Sequence, residues 1–149
     1  MTLKVLNPEM IQQVRVGNVV IGNGQPVVVA GPCAVESEEQ INLLAHHLKA
    51  AGTQILRGGV FKPRTSPYAF QGLGEQGLIF MSQAAKSVGM PIVTEVMQEN
   101  QLDFVLQYVD MVQVGSRNMY NYGLLKELGK LNVPILLKRG MSATIREWI

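Results

Sequence analysis

The sequence predicts an α/β protein built on a parallel β-sheet with helical crossovers. Three observations carry that prediction. Short, wholly apolar runs such as Val27-Val28-Val29-Ala30 read as strands buried on both faces. Between them lie segments whose apolar residues recur at helical spacing, beginning with Ile41, Leu44, Ala45 and Leu48. The two kinds of segment alternate along the chain at the interval that βα units require.

The elements follow in order. The stretch from Val14 to Ile21, closed by the turn Gly22-Asn23-Gly24, is expected to hold short β segments. Val27 to Ala30 is the first strand of the main sheet. Ser37-Glu38-Glu39-Gln40 has the form of a capping box, hydroxyl and amide each satisfying an orphan backbone N–H, and Gly52 can close the helix it opens. Gln54 to Arg57 is the second strand. Leu78, Met81, Ala85 and Val88 form the next helical stripe, ended by Gly89. Pro91 to Thr94 is the third strand, with Leu102, Val105, Leu106 and Val109 lining the third helix. Met111 to Val114 is the fourth strand, followed by a helix through Leu124, Leu125, Leu128 and Leu131. Pro134 to Leu137 is the fifth strand, and Ala143 to Ile149 starts another helix.

Two architectures fit this pattern: an open doubly wound sheet, or the first part of a (β/α)₈ barrel, which needs about 250 residues. At 149 residues an open five-stranded sheet would be complete, so the pattern alone favours it slightly. With 47% hydrophobic residues the chain can bury a core. Thirteen Lys+Arg against eleven Asp+Glu is too even a balance for a nucleic-acid binder. The N-terminus lacks the apolar core of a signal peptide, and no segment reaches membrane-spanning length. One cysteine gives neither a disulfide framework nor a paired-cysteine zinc site, so the expectation is a soluble, cytoplasmic protein.

The chemistry gathers at the strand ends. Gly59-Val60-Phe61-Lys62-Pro63-Arg64-Thr65-Ser66-Pro67 puts two cations and two hydroxyls in one loop after the second strand. Its prolines stiffen it, and its glycines let backbone approach a ligand. Arg57 ends the second strand, Glu95 the third and Lys138 the fifth, while Arg117 follows the fourth within Ser116-Arg117-Asn118. A single Arg or Lys is usually a solvated surface charge. That reading weakens when nearly every strand end supplies a cation, because in either architecture these ends share one rim. Convergent cations imply a substrate with more than one anionic group. Cys33, after the first strand, lies on the same rim as a small buried hydrophobe, a nucleophile or a soft metal ligand. His46 and His47 point about 100° apart on the first helix and cannot chelate one metal.

Gly31-Pro32-Cys33, Arg57-Gly58-Gly59 and Lys62-Pro63-Arg64-Thr65-Ser66-Pro67-Tyr68-Ala69-Phe70-Gln71-Gly72 resemble 3-deoxy-D-arabino-heptulosonate 7-phosphate (DAHP) synthase, in the subgroup related to 3-deoxy-octulosonate 8-phosphate synthase. Val114-Gly115-Ser116-Arg117-Asn118 and Leu137-Lys138-Arg139-Gly140 continue the resemblance in order, each at a strand end. It covers nearly everything from Val14 onward. The fold it implies is α/β, the first five βα units of a (β/α)₈ TIM barrel, incomplete in this chain. Residues 1–25 are then an N-terminal extension and 26–149 the N-terminal part of the catalytic domain.

The resemblance implies condensation of phosphoenolpyruvate with erythrose 4-phosphate, the first step of the shikimate pathway towards aromatic amino acids. It implies a divalent metal, Mn²⁺ or similar, with Cys33 as a ligand and the remaining ligands on later strands. It implies that Arg57, Lys62, Arg117 and Lys138 hold phosphoenolpyruvate, with Ser116 beside them and Lys62 also assisting proton transfer. Pro63, Arg64, Thr65 and Ser66 would receive the sugar phosphate, and Glu95 would sit near the attacking water. A homo-oligomer is implied for the full-length enzyme. Because the other metal ligands and three strands belong beyond Ile149, these residues alone are expected to be inactive or nearly so, without an added regulatory domain. Three other readings stand beside this one: the sister enzyme acting on arabinose 5-phosphate, a non-catalytic anion-binding module, and a fragment without function. The sister enzyme resembles Lys-Ala-Asn-Arg-Ser-Ser where this chain has Lys62-Pro63-Arg64-Thr65-Ser66.

Overall fold

Gly17 sits at φ +55°, in the left-handed region that glycine adopts readily. It turns the chain between β1 (Val14–Val16) and β2 (Val19–Ile21), which pair as an antiparallel hairpin with Val16 opposite Val19. The opening stretch thus holds two short strands, and it reverses at Gly17-Asn18, ahead of the expected turn at Gly22-Asn23-Gly24. This computed structural model describes residues 13–62 and 64–149.

The main sheet contains β3 (Val29–Ala30), β4 (Ile55–Arg57), β5 (Ile92–Val96), β6 (Met111–Val114) and β7 (Ile135–Leu137), in that spatial order and all parallel. Sequential order decides the architecture. Right-handed crossovers between strands laid down in one direction put every helix on the same face, as in a barrel. A doubly wound sheet reverses its strand order at a switch point instead. The chain is thus a parallel partial barrel of five βα units. The preference for an open sheet fails because periodicity reports which faces are apolar, not the order in which strands pair.

Alternation along each strand then sorts the side chains. Leu56, Ile92, Val96, Val112 and Val114 face the helices, packing with Ile41 and Ala45 of α1 (Glu38–Ala50) and with Leu78, Met81 and Ala85 of α2 (Gly74–Val88). Leu124 and Leu128 of α4 (Tyr122–Leu128) complete that layer. The opposite face begins with Ile55, Val93 and Met111, which the hairpin covers through Val16. Two residues further along each strand, the same face carries Arg57, Glu95 and Gln113. The inner face is therefore apolar at the N-terminal end of the strands and charged at the C-terminal end.

The helix signals hold where caps support them. Ser37 Oγ accepts from the Gln40 N–H at 3.0 Å, and Gln40 Oε1 accepts from the Glu36 N–H at 2.9 Å. Gly89, at φ +65°, ends α2. The third helix is much shorter than its stripe: α3 (Leu102–Val105) follows a 3₁₀ turn at Glu99–Gln101, and the chain then tightens into i→i−3 bonds at Gln107 and Tyr108. Leu106 and Val109 still pack on the core from that turn. Leu131 lies past the end of α4 and is exposed. The last helix, α5 (Ile145–Trp148), is capped by Thr144 and starts two residues later than expected.

The outer strands also depart from expectation. Val28 and Val29 are 50% and 37% exposed, and Ile135 and Leu136 are 40% and 38% exposed. Strands β3 and β7 are the edges of this sheet. Their apolar runs record a two-sided burial that only interior strands achieve here.

Candidate functional site: a cationic cavity at the strand ends

Each strand delivers its functional residue by the same device, a side chain on the inner face at or just beyond the C-terminal end. Arg57, the last residue of β4, donates through Nη1 to Pro32 O at 2.9 Å and Cys33 O at 3.1 Å. This ties the loop after β3 to β4. Gly31 permits the approach, since a Cβ there would lie 1.7 Å from Arg57 O. Lys62 is buried in the loop after β4, and its Nζ donates to Cys33 O and lies 3.2 Å from Cys33 Sγ. Gly59 makes room for it: a Cβ there would come within 2.9 Å of Lys62 Nζ and 2.5 Å of Cys33 O. Hydrogen bonding and charge from Lys62, aided by Arg57, hold the Cys33 thiol below its usual pKa against a smaller desolvation effect.

On β5 the alternation separates two adjacent polar residues. Thr94 is buried towards the helices and donates through Oγ1 to Gly58 O at 2.7 Å. Glu95 faces inward, where its Oε2 accepts from Gln113 Nε2 at 2.7 Å. Ser116-Arg117-Asn118 is a 3₁₀ turn after β6, anchored by Asn118 Nδ2 to Met97 O at 3.3 Å. Lys138 follows β7, its N–H donating to Val114 O at 3.0 Å. Arg139 turns aside and donates to Ala143 O at 2.9 Å.

These residues share one cavity of about 370 Å³, lined by Cys33, Arg57, Lys62, Arg64, Glu95, Gly115, Ser116, Arg117, Lys138 and Met141. Among the described residues, five cations face one carboxylate across it. A larger cavity of about 410 Å³ opens beside the Gly17 turn, with Lys86 and Asp110 as its charged lining residues. Asp110 Oδ2 is engaged there by the Ile92 N–H at 2.9 Å. Charge, not size, distinguishes the two, and only the strand-end cavity is built for a polyanion.

The expected site residues divide accordingly. Cys33, Arg57, Lys62, Arg64, Glu95, Ser116, Arg117 and Lys138 come together. Thr65 and Ser66 are exposed on the loop and do not line the cavity. The Ser66 hydroxyl accepts from the Tyr68 N–H at 3.3 Å, and Ser66 O accepts from Gln71 Nε2 at 3.0 Å. Pro63 lies outside the described residues. Sequence reasoning missed Gln113, a buried amide within the run Met111-Val112-Gln113-Val114. A lone polar residue in a buried strand was the available signal.

Among the described residues, no three His, Cys, Asp or Glu side chains gather as a metal-ligand set. Cys33 nevertheless suits one ligand position, because its cationic neighbours favour the thiolate that metal coordination requires. No described helix is long and apolar enough to cross a membrane.

A family model described as the DAHP synthetase I family matches residues 5–149. The chain belongs to that family. It is 48% identical over 136 residues to the phospho-2-dehydro-3-deoxyheptonate aldolase of Thermotoga maritima, covering 91% of this chain and 40% of the relative. The crystal structure of that Thermotoga DAHP synthase superposes with a TM-score of 0.87 at 47% identity, covering 92% of this chain and 40% of the other. A truncated form of 3-deoxy-D-arabino-heptulosonate 7-phosphate synthase from the same organism gives a TM-score of 0.81 at 41% identity, with 92% of this chain and 48% of the other covered. The 2-dehydro-3-deoxyphosphooctonate aldolase of Bartonella bacilliformis is 33% identical over 135 residues, covering 85% of this chain and 48% of the relative. This DAHP synthetase I family chain thus spans about half or less of the length of the curated relatives it matches.

Proposed function

We propose that the strand-end cavity binds phosphoenolpyruvate, and that this chain supplies that half of a site condensing it with erythrose 4-phosphate to give DAHP and phosphate. The observation that carries the reading is the convergence of Arg57, Lys62, Arg64, Arg117 and Lys138 on one cavity. A phosphate and a carboxylate on a three-carbon frame need several cations at short separation, and guanidinium groups meet each anion bidentately. Arg57, Arg117 and Lys138, with the Ser116 hydroxyl, hold and orient phosphoenolpyruvate. Arg64 faces the second phosphate, that of the sugar, and the exposed Thr65 and Ser66 would have to turn inward to join it.

In the reaction proposed, C3 of phosphoenolpyruvate bonds to the aldehyde carbon, water adds at C2, and phosphate leaves by C–O cleavage. Lys62, buried and rich in donors, holds a proton at Nζ beside the reacting carbons. The Glu95 carboxylate orients the water at C2. Cys33 would hold the divalent metal together with ligands not among the described residues, and that metal supplies Lewis-acid polarisation of the aldehyde. Homo-oligomeric assembly belongs to the same proposal. The sister reading, with arabinose 5-phosphate, draws support from the Bartonella relative but less from identity, 33% against 48%.

The test is phosphoenolpyruvate titration of the chain by calorimetry, followed by turnover with erythrose 4-phosphate and Mn²⁺, with and without EDTA. Saturable binding that weakens at least tenfold in Arg117→Ala and Lys138→Ala is expected, from loss of one charge-assisted contact each. Binding unchanged in both variants would overturn the assignment. Faster turnover with arabinose 5-phosphate would move it to the sister reaction. Chelator-insensitive binding without turnover under any supplementation would leave a non-catalytic anion module.

A further inference from the structure

Glu95 poses a physical problem. Among the described residues it is the one carboxylate lining a cavity that holds five cations, and a flexible carboxylate there competes with any anionic ligand for them. The fold supplies a restraint. Glu95 of β5 lies directly opposite Gln113 of β6 in the sheet register. Gln113 is only 4% exposed, so packing fixes its amide, and Nε2 donates to Glu95 Oε2 at 2.7 Å. Two residues on from Gln113, just past the end of β6, Gly115 leaves space for the other carboxylate oxygen. A Cβ at Gly115 would stand 2.1 Å from Glu95 Oε1. The cross-strand amide and the missing methyl group make a two-sided cradle for one carboxylate.

We propose that Gln113 is a positioning residue, and Gly115 its steric complement, which together park the Glu95 carboxylate against β6 and leave the rim cations to the anionic ligand. This rests on the anion-binding reading of the cavity, and it assigns Gln113 no contact with substrate. Either cradle change would free Glu95 to fall onto the cations. Gln113→Leu removes the donor, and Gly115→Ala pushes the oxygen away without backbone strain, since Gly115 sits at φ −68°, ψ 159°.

The test is a pair of double-mutant cycles read by phosphoenolpyruvate titration of the 149-residue chain. Gln113→Leu and Gly115→Ala should each weaken binding about tenfold, the size of a lost hydrogen bond to a charged group. In a Glu95→Ala background neither should have any effect, because no carboxylate remains to be restrained. Equal losses with and without Glu95 would overturn the proposal and mark Gln113 as a packing residue, as would unfolding of both single variants. A second readout needs no ligand and so separates this proposal from the binding assignment. In the free chain, the Gln113 side-chain amide resonances should exchange slowly and shift on Glu95→Ala. Amide protons that exchange as fast as those of exposed Gln83, or ignore Glu95→Ala, would overturn it.

Discussion

Gly31→Ala tests the site where its geometry is tightest. The added Cβ would lie 1.7 Å from Arg57 O, whereas real Cβ contacts essentially never fall below 3.0 Å, so β3 and β4 must separate locally by about 1.3 Å. The obstacle is backbone and cannot rotate away. The residue also sits at φ +155°, which L side chains rarely adopt. Overpacking of this kind costs about 1–3 kcal/mol, and a disfavoured backbone conformation about 1–3 kcal/mol more. The displaced segment carries Pro32 O and Cys33 O, the acceptors of the Arg57 guanidinium, so the cationic rim loses its anchor along with the strand pair Val29–Ile55 and Ala30–Leu56. In a domain of this size each kcal/mol lowers the melting midpoint by about 2–4 °C, so the combined cost of about 2–6 kcal/mol predicts a fall of roughly 4–24 °C in thermal unfolding followed by circular dichroism. Phosphoenolpyruvate affinity should fall in the same variant at a temperature where it is still folded. A variant that unfolds at the wild-type temperature and binds with wild-type affinity would refute the claim that this close approach builds the site.

Other expectations follow from single contacts. Lys62→Met should return the Cys33 thiol towards its ordinary pKa, because the largest lowering influence is gone and only Arg57 remains. Its alkylation by iodoacetamide at pH 7 should slow about threefold or more, with the midpoint of the rate profile moving to higher pH; an unchanged profile would show that Lys62 does not set the thiol. Leu78→Ala, at a fully buried position between α2 and the sheet, should cost about 2–5 kcal/mol in denaturant unfolding. Glu147 is held below the usual carboxylate pKa by the Thr144 backbone N–H first and its hydroxyl second. The α5 cap is therefore present above the unfolded-state pKa and lost as pH falls through the lower folded value. Acid-induced fraying confined to Ile145–Trp148 in amide exchange is expected, and a pH-independent α5 would contradict the cap.

Much of the fold was legible because local physics wrote it. The capping residues Ser37 and Gln40 and the left-handed Gly89 act within a few residues of where they stand, so helix boundaries set by them were read correctly. Boundaries without such signals drifted. The third helix stops at Val105 although its apolar stripe continues, since Leu106 and Val109 can reach the core from a tightened turn as well as from a helix. The hairpin turn at Gly17-Asn18 was passed over for the richer Gly22-Asn23-Gly24, because composition ranks turns without knowing which reversal buries Val16. That eight of the expected residues gather on one cavity was likewise legible, as each is a charged, hydroxyl or thiol group at or beyond the C-terminal end of a strand.

By itself the sequence determined which segments are strands, which are helices, and that their C-terminal ends bear cations suited to phosphate and carboxylate. Those properties follow from side-chain type and spacing within one segment. Tertiary structure alone decided that the strands pair in sequential order, which puts all the crossovers on one face and leaves the other to the site. It alone decided that Lys62 is buried against Cys33 while Thr65 and Ser66 point away, and that Gln113 lies across from Glu95. Each of these is a contact between segments distant in the chain, fixed by register and packing that no local pattern encodes.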